Sequence, residues 1–241
     1  MNPENYLQVE TIKGIEVVIV ESHNEVLPYW FNAGNLEPAV VIHIDDHEDM
    51  RGGHLTLEAL SLSDVPRDLR IYACEHSHMA AFIVSARHYN KVGPIYYINL
   101  RREEIMPFGR TRKGLFKDLA QTVEDRGWIT WDGSSSPNDS YEEIHRNLLT
   151  INFEELFEDL GGYCGPLILD IDLDVFLNNF FLNNSDYIQG LERRFKRFES
   201  LLTELPRPKI ITIARSLMFT PRDKVDFLQD RVLRILEEKL S

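Results

Sequence analysis

The stretch Ala39-Val40-Val41-Ile42-His43-Ile44-Asp45-Asp46-His47-Glu48-Asp49 decides the reading of this chain. Six residues, apolar except for His43 and rich in β-branched side chains, run straight into four acids and an imidazole. A segment without alternating polar positions suits a strand covered on both faces, and such strands are typical of parallel sheets. Four other segments share that character: Ile15-Glu16-Val17-Val18-Ile19-Val20, Pro94-Ile95-Tyr96-Tyr97-Ile98, Pro166-Leu167-Ile168-Leu169 and Lys209-Ile210-Ile211-Thr212-Ile213. Helical patterns separate them, over 24–32, 76–89 and 185–202, the last with Ile188, Leu191, Phe195, Phe198 and Leu202 on one stripe. A final helix opens with Thr220-Pro221-Arg222-Asp223, where Thr220 is the expected cap, and carries Val225, Leu228, Val232, Ile235 and Leu240 along one face. Strands alternating with helices predict a three-layer α/β/α fold around a mostly parallel central sheet, formed as a single domain over residues 1–241. The clearest loop lies at 131–140.

Composition narrows the partners. The 241 residues hold 26 Lys and Arg against 39 Asp and Glu, a formal net charge of −13, with 43% hydrophobic residues. That balance is globular rather than disordered. Its sign repels nucleic acid and anionic membranes and favours a cationic ligand. The longest apolar run, residues 79–84, is far shorter than a membrane-spanning helix, and Met1-Asn2-Pro3-Glu4-Asn5 has no signal-peptide character, so a cytoplasmic location is expected. Cys74 and Cys164 are too few for a disulfide framework and read as small buried residues. An oligomer is compatible with all of this.

The chemistry concentrates at two strand ends. Asp45-x-His47-x-Asp49 follows one strand and Asp170-Ile171-Asp172-Leu173-Asp174 follows another. Ligand sites of open parallel sheets form at the carboxyl ends of their strands. An isolated acidic run there is ordinarily a solvated loop or a helix cap. Two of them side by side would repel strongly without cations, because unpaired buried charge is expensive. Oxygen and imidazole donors without thiolate favour a hard or borderline ion such as manganese. Shared carboxylates could bridge two ions, and two ions can share one hydroxide as nucleophile. His23, at the end of Val20-Glu21-Ser22-His23, is a further imidazole if its strand is a neighbour. His54, Glu75, His76 and His78 follow the first cluster and could enter the same mouth.

In these residues the chain resembles the arginase and agmatinase superfamily of ureohydrolases. Their pattern is a histidine at one strand end, Asp-x-His-x-Asp on the next and a later Asp-x-Asp; here His23 precedes Asp45 by 22 positions. Together with Leu169-Asp170-Ile171-Asp172-Leu173-Asp174-Val175-Phe176 and Thr212-Ile213-Ala214-Arg215-Ser216, the motifs are similar to a divergent arginase-like family that includes the peptide arginases of ribosomal-peptide biosynthesis. The resemblance implies an arginase/deacetylase-like fold and two Mn2+ per chain, held by His23, Asp45, His47, Asp49, Asp170 and Asp172, with Asp174 in support. It also implies conversion of arginine side chains in a precursor peptide to ornithine, with release of urea, by a hydroxide shared between the ions. Asp49 would carry the proton to the leaving amine, and His78 or His54 would relay protons to solvent. The acid that grips the guanidinium in arginases has no counterpart in Ala214-Arg215-Ser216. Glu75 is the candidate replacement, with Arg215 and Ser216 contacting the peptide. The basic pairs Arg101-Arg102 and Arg110-x-Arg112-Lys113 would meet an acidic leader, or else form a solvated patch. The alternatives are hydrolysis of free arginine or agmatine, a metal-dependent deacetylase, and a metal or basic-peptide binder without turnover.

Overall fold

The computed structural model describes residues 6–33, 37–47, 49, 82–102, 105–108, 151–177 and 184–240. Seven strands form one sheet: β1 Leu7–Ile12, β2 Ile15–Val20, β3 Ala39–Ile44, β4 Val92–Ile98, β5 Ile105–Phe108, β6 Leu167–Asp172 and β7 Ile210–Ala214. Their order is β1-β2-β7-β6-β3-β4-β5. The five central strands run parallel, and only the edge pairs β1/β2 and β4/β5 are antiparallel. Those five are the strands read from the sequence, in an α/β arrangement as expected. The antiparallel edges were not foreseen: β1 joins β2 through a tight turn at Lys13 and Gly14, both at positive φ.

Alternate residues of each strand feed two separate cores. Val17, Ile19, Ile42, Ile44, Leu169, Ile171, Ile211 and Ile213 pack on one face with Leu156, Phe195, Phe198, Leu228 and Val232. These last belong to α3 Phe153–Leu160, α4 Asn184–Glu204 and α5 Arg222–Lys239. The opposite face carries Val18, Val20, Val41 and Ile168 against Trp30 of α1 Leu27–Ala33 and Phe82 of α2 Phe82–His88. This is the three-layer build, with both faces of the parallel sheet excluded from water.

Some local expectations differ. Helix α3 was not foreseen, although Asn152-x-x-Glu155 spells a capping box and both of its reciprocal hydrogen bonds form at 2.9 Å. Helix α5 is capped by Pro221 without a side-chain bond, not by Thr220. Thr220 is instead buried in the turn after β7, its N–H bonded to the Ser216 carbonyl at 2.7 Å. Cys164 is exposed rather than buried, because it sits in the turn leading into β6. The 131–140 loop, Cys74 and the Arg110–Lys113 basic segment lie outside the described residues. Among the described residues, no helix is long and apolar enough to cross a membrane.

Candidate metal centre

Four neighbouring strand ends meet at one rim of the sheet. β2 runs into a 3-10 turn at His23–Val26, β3 into Asp45, β6 into a second 3-10 turn at Leu173–Phe176, and β7 into Arg215 and Ser216. Register sets the level of each acid. Ile44 pairs with Ile171, and Asp172 pairs with Ala214, so Asp45 and Asp172 leave the sheet at the same height. One step deeper, Asp170 lies between His43 and Thr212.

His23 is buried at the centre. Its Nδ1 lies 3.2 Å from Asp45 Oδ2, 3.0 Å from Asp49 Oδ2 and 3.2 Å from Asp172 Oδ2, yet it makes no hydrogen bond. Its Nε2 faces Asp170 Oδ2 at 2.8 Å. His47, half-exposed, places Nδ1 3.6 Å from Asp45 Oδ1 and 3.1 Å from Asp174 Oδ2. Asp45 Oδ2 and Asp174 Oδ1 are likewise buried without a hydrogen-bond partner. Donor atoms of Asp45, His47 and Asp174 lie within 4.8 Å of one another, as do those of His23, His43 and Asp45. Asp45 is common to both groups. Unpaired polar atoms buried at this density are costly unless a further group satisfies them.

The electrostatics of the cluster point to the same deficit of positive charge. Burial raises Asp49 to about 6, with help from the Asp45 charge. Burial and neighbouring acids also raise Asp172, and push Asp174 well above the carboxylate range. Burial works against the Asp45 charge too, but the His23, His47 and His43 rings beside it win and lower its pKa. His47 is raised to about 11 by its contacts with Asp174 and Asp45. Burial would lower the His23 pKa, and Asp170, Asp172 and Asp45 together drive it well above the usual value instead. Protons thus take the place that cations would fill, which is the behaviour of a carboxylate–imidazole metal site. Oxygen-rich donors with two imidazoles and no thiolate fit a hard or borderline divalent ion.

Two residues of the rim have strained backbone. Asp49 and Ser216 both adopt left-handed backbone, φ 48° and 47°, a conformation costing about 1–2 kcal/mol for residues with a Cβ. Ser216 Oγ donates to Asp172 Oδ2, whose Oδ1 accepts from the Asp174 N–H at 3.0 Å. The Phe82 ring packs 4.7 Å from the His23 ring, and the Phe219 ring 4.9 Å from His47. Beside His47 opens a cleft of about 310 Å³ lined by Asp46, Asn99, Arg101 and Arg102.

The structure therefore brings His23, Asp45, His47, Asp49, Asp172 and Ser216 together at the rim. Asp170 comes with them but one layer down, its two oxygens held by His23, His43 and Thr212. Asp174, expected only in support, faces His47. The contacts described for Arg215 run elsewhere: its guanidinium stacks 4.0 Å over the Tyr6 ring and pairs with Asp226 at 2.8 Å and Glu21 at 3.8 Å. Arg101 is paired with Asp46. Glu75, His78, His54 and His76 lie outside the described residues.

No family profile matches the sequence, and no curated protein does. A solved structure is similar. It is the proclavaminate amidino hydrolase from Streptomyces clavuligerus, at 11% identity and a TM-score of 0.48, over 92% of this chain and 63% of that one. The chain spans less than two thirds of that enzyme's length, and the likeness is too distant to assign an activity.

Proposed function

We propose that the chain is a binuclear metal-dependent hydrolase of guanidino groups, acting on arginine side chains within a peptide. The observation that carries the reading is the pair of donor groups sharing Asp45: the unbonded His23 Nδ1 ringed by Asp45, Asp49 and Asp172, and His47 with Asp45 and Asp174. His23, Asp45, Asp49 and Asp172 would hold one ion, and Asp45, His47 and Asp174 the other, with manganese suited to so many oxygen donors. This ligand set differs from the motif-based expectation by one register step, Asp172 and Asp174 replacing Asp170 and Asp172. Four carboxylates and two imidazoles exceed what a single zinc of a deacetylase would use.

Bound metal supplies Lewis-acid activation of water near neutral pH. The chain's own residues do the rest. Asp45 fixes the spacing of the two donor groups, its Oδ1 also accepting the His47 N–H at 2.8 Å. Ser216 and the Asp174 N–H hold the Asp172 carboxylate in one orientation. The negative rim attracts and orients the guanidinium cation. In the reaction, the oxygen of water bonds to the guanidinium carbon and the bond from that carbon to Nε breaks. A proton passes by way of Asp49 to the departing amine, leaving ornithine and urea. The exposed Phe219, whose ring lies beside His47, and its exposed chain neighbour Met218 suit the hydrocarbon and backbone of a peptide better than the charged ends of a free amino acid.

Mass spectrometry of arginine-containing peptides incubated with manganese-loaded protein, with free arginine and agmatine in parallel, tests the reading. Loss of the urea-forming atoms from peptidyl arginine, with free arginine spared, is expected. Turnover of free arginine or agmatine alone moves the enzyme to small guanidines. Deacetylation of an acylated amine, with no guanidine product, overturns the reaction.

A further inference from the structure

Beneath the metal-ligand layer runs a row of side chains of which only Asp170 belongs to the ligand motifs. Register places Val18, Thr212, Asp170, His43 and Tyr97 side by side across β2, β7, β6, β3 and β4. All five face the α1/α2 side of the sheet. His43, Asp170 and Thr212 are fully buried, an expensive place for a carboxylate and an imidazole.

Their hydrogen bonds are nearly complete. Asp170 Oδ2 accepts from His43 Nδ1 at 2.7 Å and from His23 Nε2 at 2.8 Å. Asp170 Oδ1 accepts from Thr212 Oγ1 at 2.5 Å, and that hydroxyl accepts from Trp30 Nε1 at 3.1 Å. The other nitrogen of His43 faces the His47 carbonyl at 3.2 Å. Both partners of His43 are pure acceptors, so both ring nitrogens donate. A carboxylate whose oxygens are engaged three times by neighbouring side chains has little left for an ion at the rim.

We infer that His43 and Asp170 are a buried positioning pair, not metal ligands: Asp170 fixes the His23 ring with Nε2 protonated and Nδ1 turned to the rim, while His43 anchors Asp170 and the backbone at His47 to each other. Hydrogen bonds from a ligand's second nitrogen to a carboxylate set its tautomer and orientation, and losing them costs about 10–100-fold in metal affinity. Thr212 and Trp30 complete the chain from the opposite side. The inference rests on the metal reading of the rim and is independent of the substrate.

The test is metal binding by Asp170→Asn, Thr212→Val and, as the ligand control, Asp174→Asn. Mn2+ titrations give stoichiometry and affinity, and long-range nitrogen–proton spectra of the Zn2+-loaded proteins give the His23 tautomer. Asp170→Asn is expected to bind the wild-type number of ions, one of them about 10–100-fold more weakly, with a mixed His23 tautomer. Thr212→Val, which removes one donor from Asp170, should shift affinity the same way but less. Asp174→Asn should lose a full equivalent. Loss of a full equivalent in Asp170→Asn overturns the inference by making Asp170 a ligand, and so does unchanged affinity with an unchanged tautomer. Should Asp170→Asn not fold, Thr212→Val decides: wild-type affinity and tautomer there also overturn it. A wild-type protein that binds no ion instead removes the metal reading itself.

Discussion

Loading the centre with metal should expel protons, and the least number is set by His47. His47 is held at about 11 by Asp174 and Asp45, so at pH 7 its ring carries a proton that binding must remove. The gap of about 4 pH units weakens apparent affinity by roughly four powers of ten relative to the free ring. His23, raised well above its ordinary value by Asp170, Asp172 and Asp45 against the effect of burial, must likewise give up the proton on Nδ1. The metal takes the deprotonated form, so affinity rises with pH. Each displaced proton contributes about tenfold per pH unit until its pKa is reached. Calorimetric Mn2+ titrations at pH 7, in buffers of different ionisation enthalpy, should report at least one proton released per fully loaded chain, the share of His47 alone, with His23 and Asp174 adding to it. Between pH 6 and 8 the product of the two binding constants should climb by at least two powers of ten, the contribution of His47. Release of less than one proton, with affinity flat over that range, would show that the ring nitrogens are not ligands and would remove the basis for both ions.

Two other outcomes are expected. Asp174→Asn should fold normally, because no backbone group depends on that carboxylate among the described bonds, and should retain one Mn2+ per chain by elemental analysis; two retained ions would return the second site to Asp172. Thr212→Val deletes the donor to Asp170 at 2.5 Å and orphans the buried Trp30 indole N–H, so denaturant unfolding of the metal-free protein should show a loss of about 2–4 kcal/mol. Thr212→Ser keeps the hydroxyl and should lose about 1 kcal/mol, and equal losses in the two variants would show that the hydroxyl is not what matters.

The parallel centre of the sheet was legible because each of its strands is apolar on both faces, a pattern with few other solutions. β1 was not, since Leu7-Gln8-Val9-Glu10 alternates like an edge and carries no strong boundary signal. The rim acids were legible as a class but not as individuals. Asp170-x-Asp172-x-Asp174 offers three acids at period two, and only pairing with β3 says which share the level of Asp45. Sequence spacing contains no inter-strand register. The signal that was available is parity: His43 stands to Asp45 as Asp170 stands to Asp172, so an imidazole and an acid one layer down were a matched pair in the two strands. Arg215 misled for a different reason. Its position after β7 is at the rim, but Tyr6, remote in sequence, and Asp226 of the following helix draw the guanidinium away from it.

Asp49 shows how the site sets function against stability. The residue sits at φ 48°, where a Cβ is strained, and its buried carboxyl is raised to about 6 by burial and by Asp45. A carboxyl raised from 3.8 in the unfolded chain to about 6 in the fold stabilises the fold only at low pH, and that contribution is lost as pH rises through 6. Above that, its charge opposes folding by up to about 3 kcal/mol while no cation is bound. Asp49→Asn removes the charge, and asparagine tolerates left-handed backbone as readily as aspartate does. The metal-free variant at pH 8 should therefore be more stable than wild type by about 1–3 kcal/mol, and the difference should vanish near pH 4. With Mn2+ present the order should reverse, because the variant has lost a donor to the ion beside His23. A metal-free variant less stable than wild type at pH 8 would mean that Asp49 is held by hydrogen bonds rather than strained against Asp45. The rim would then be a satisfied polar cluster with no vacancy of charge for a metal to fill.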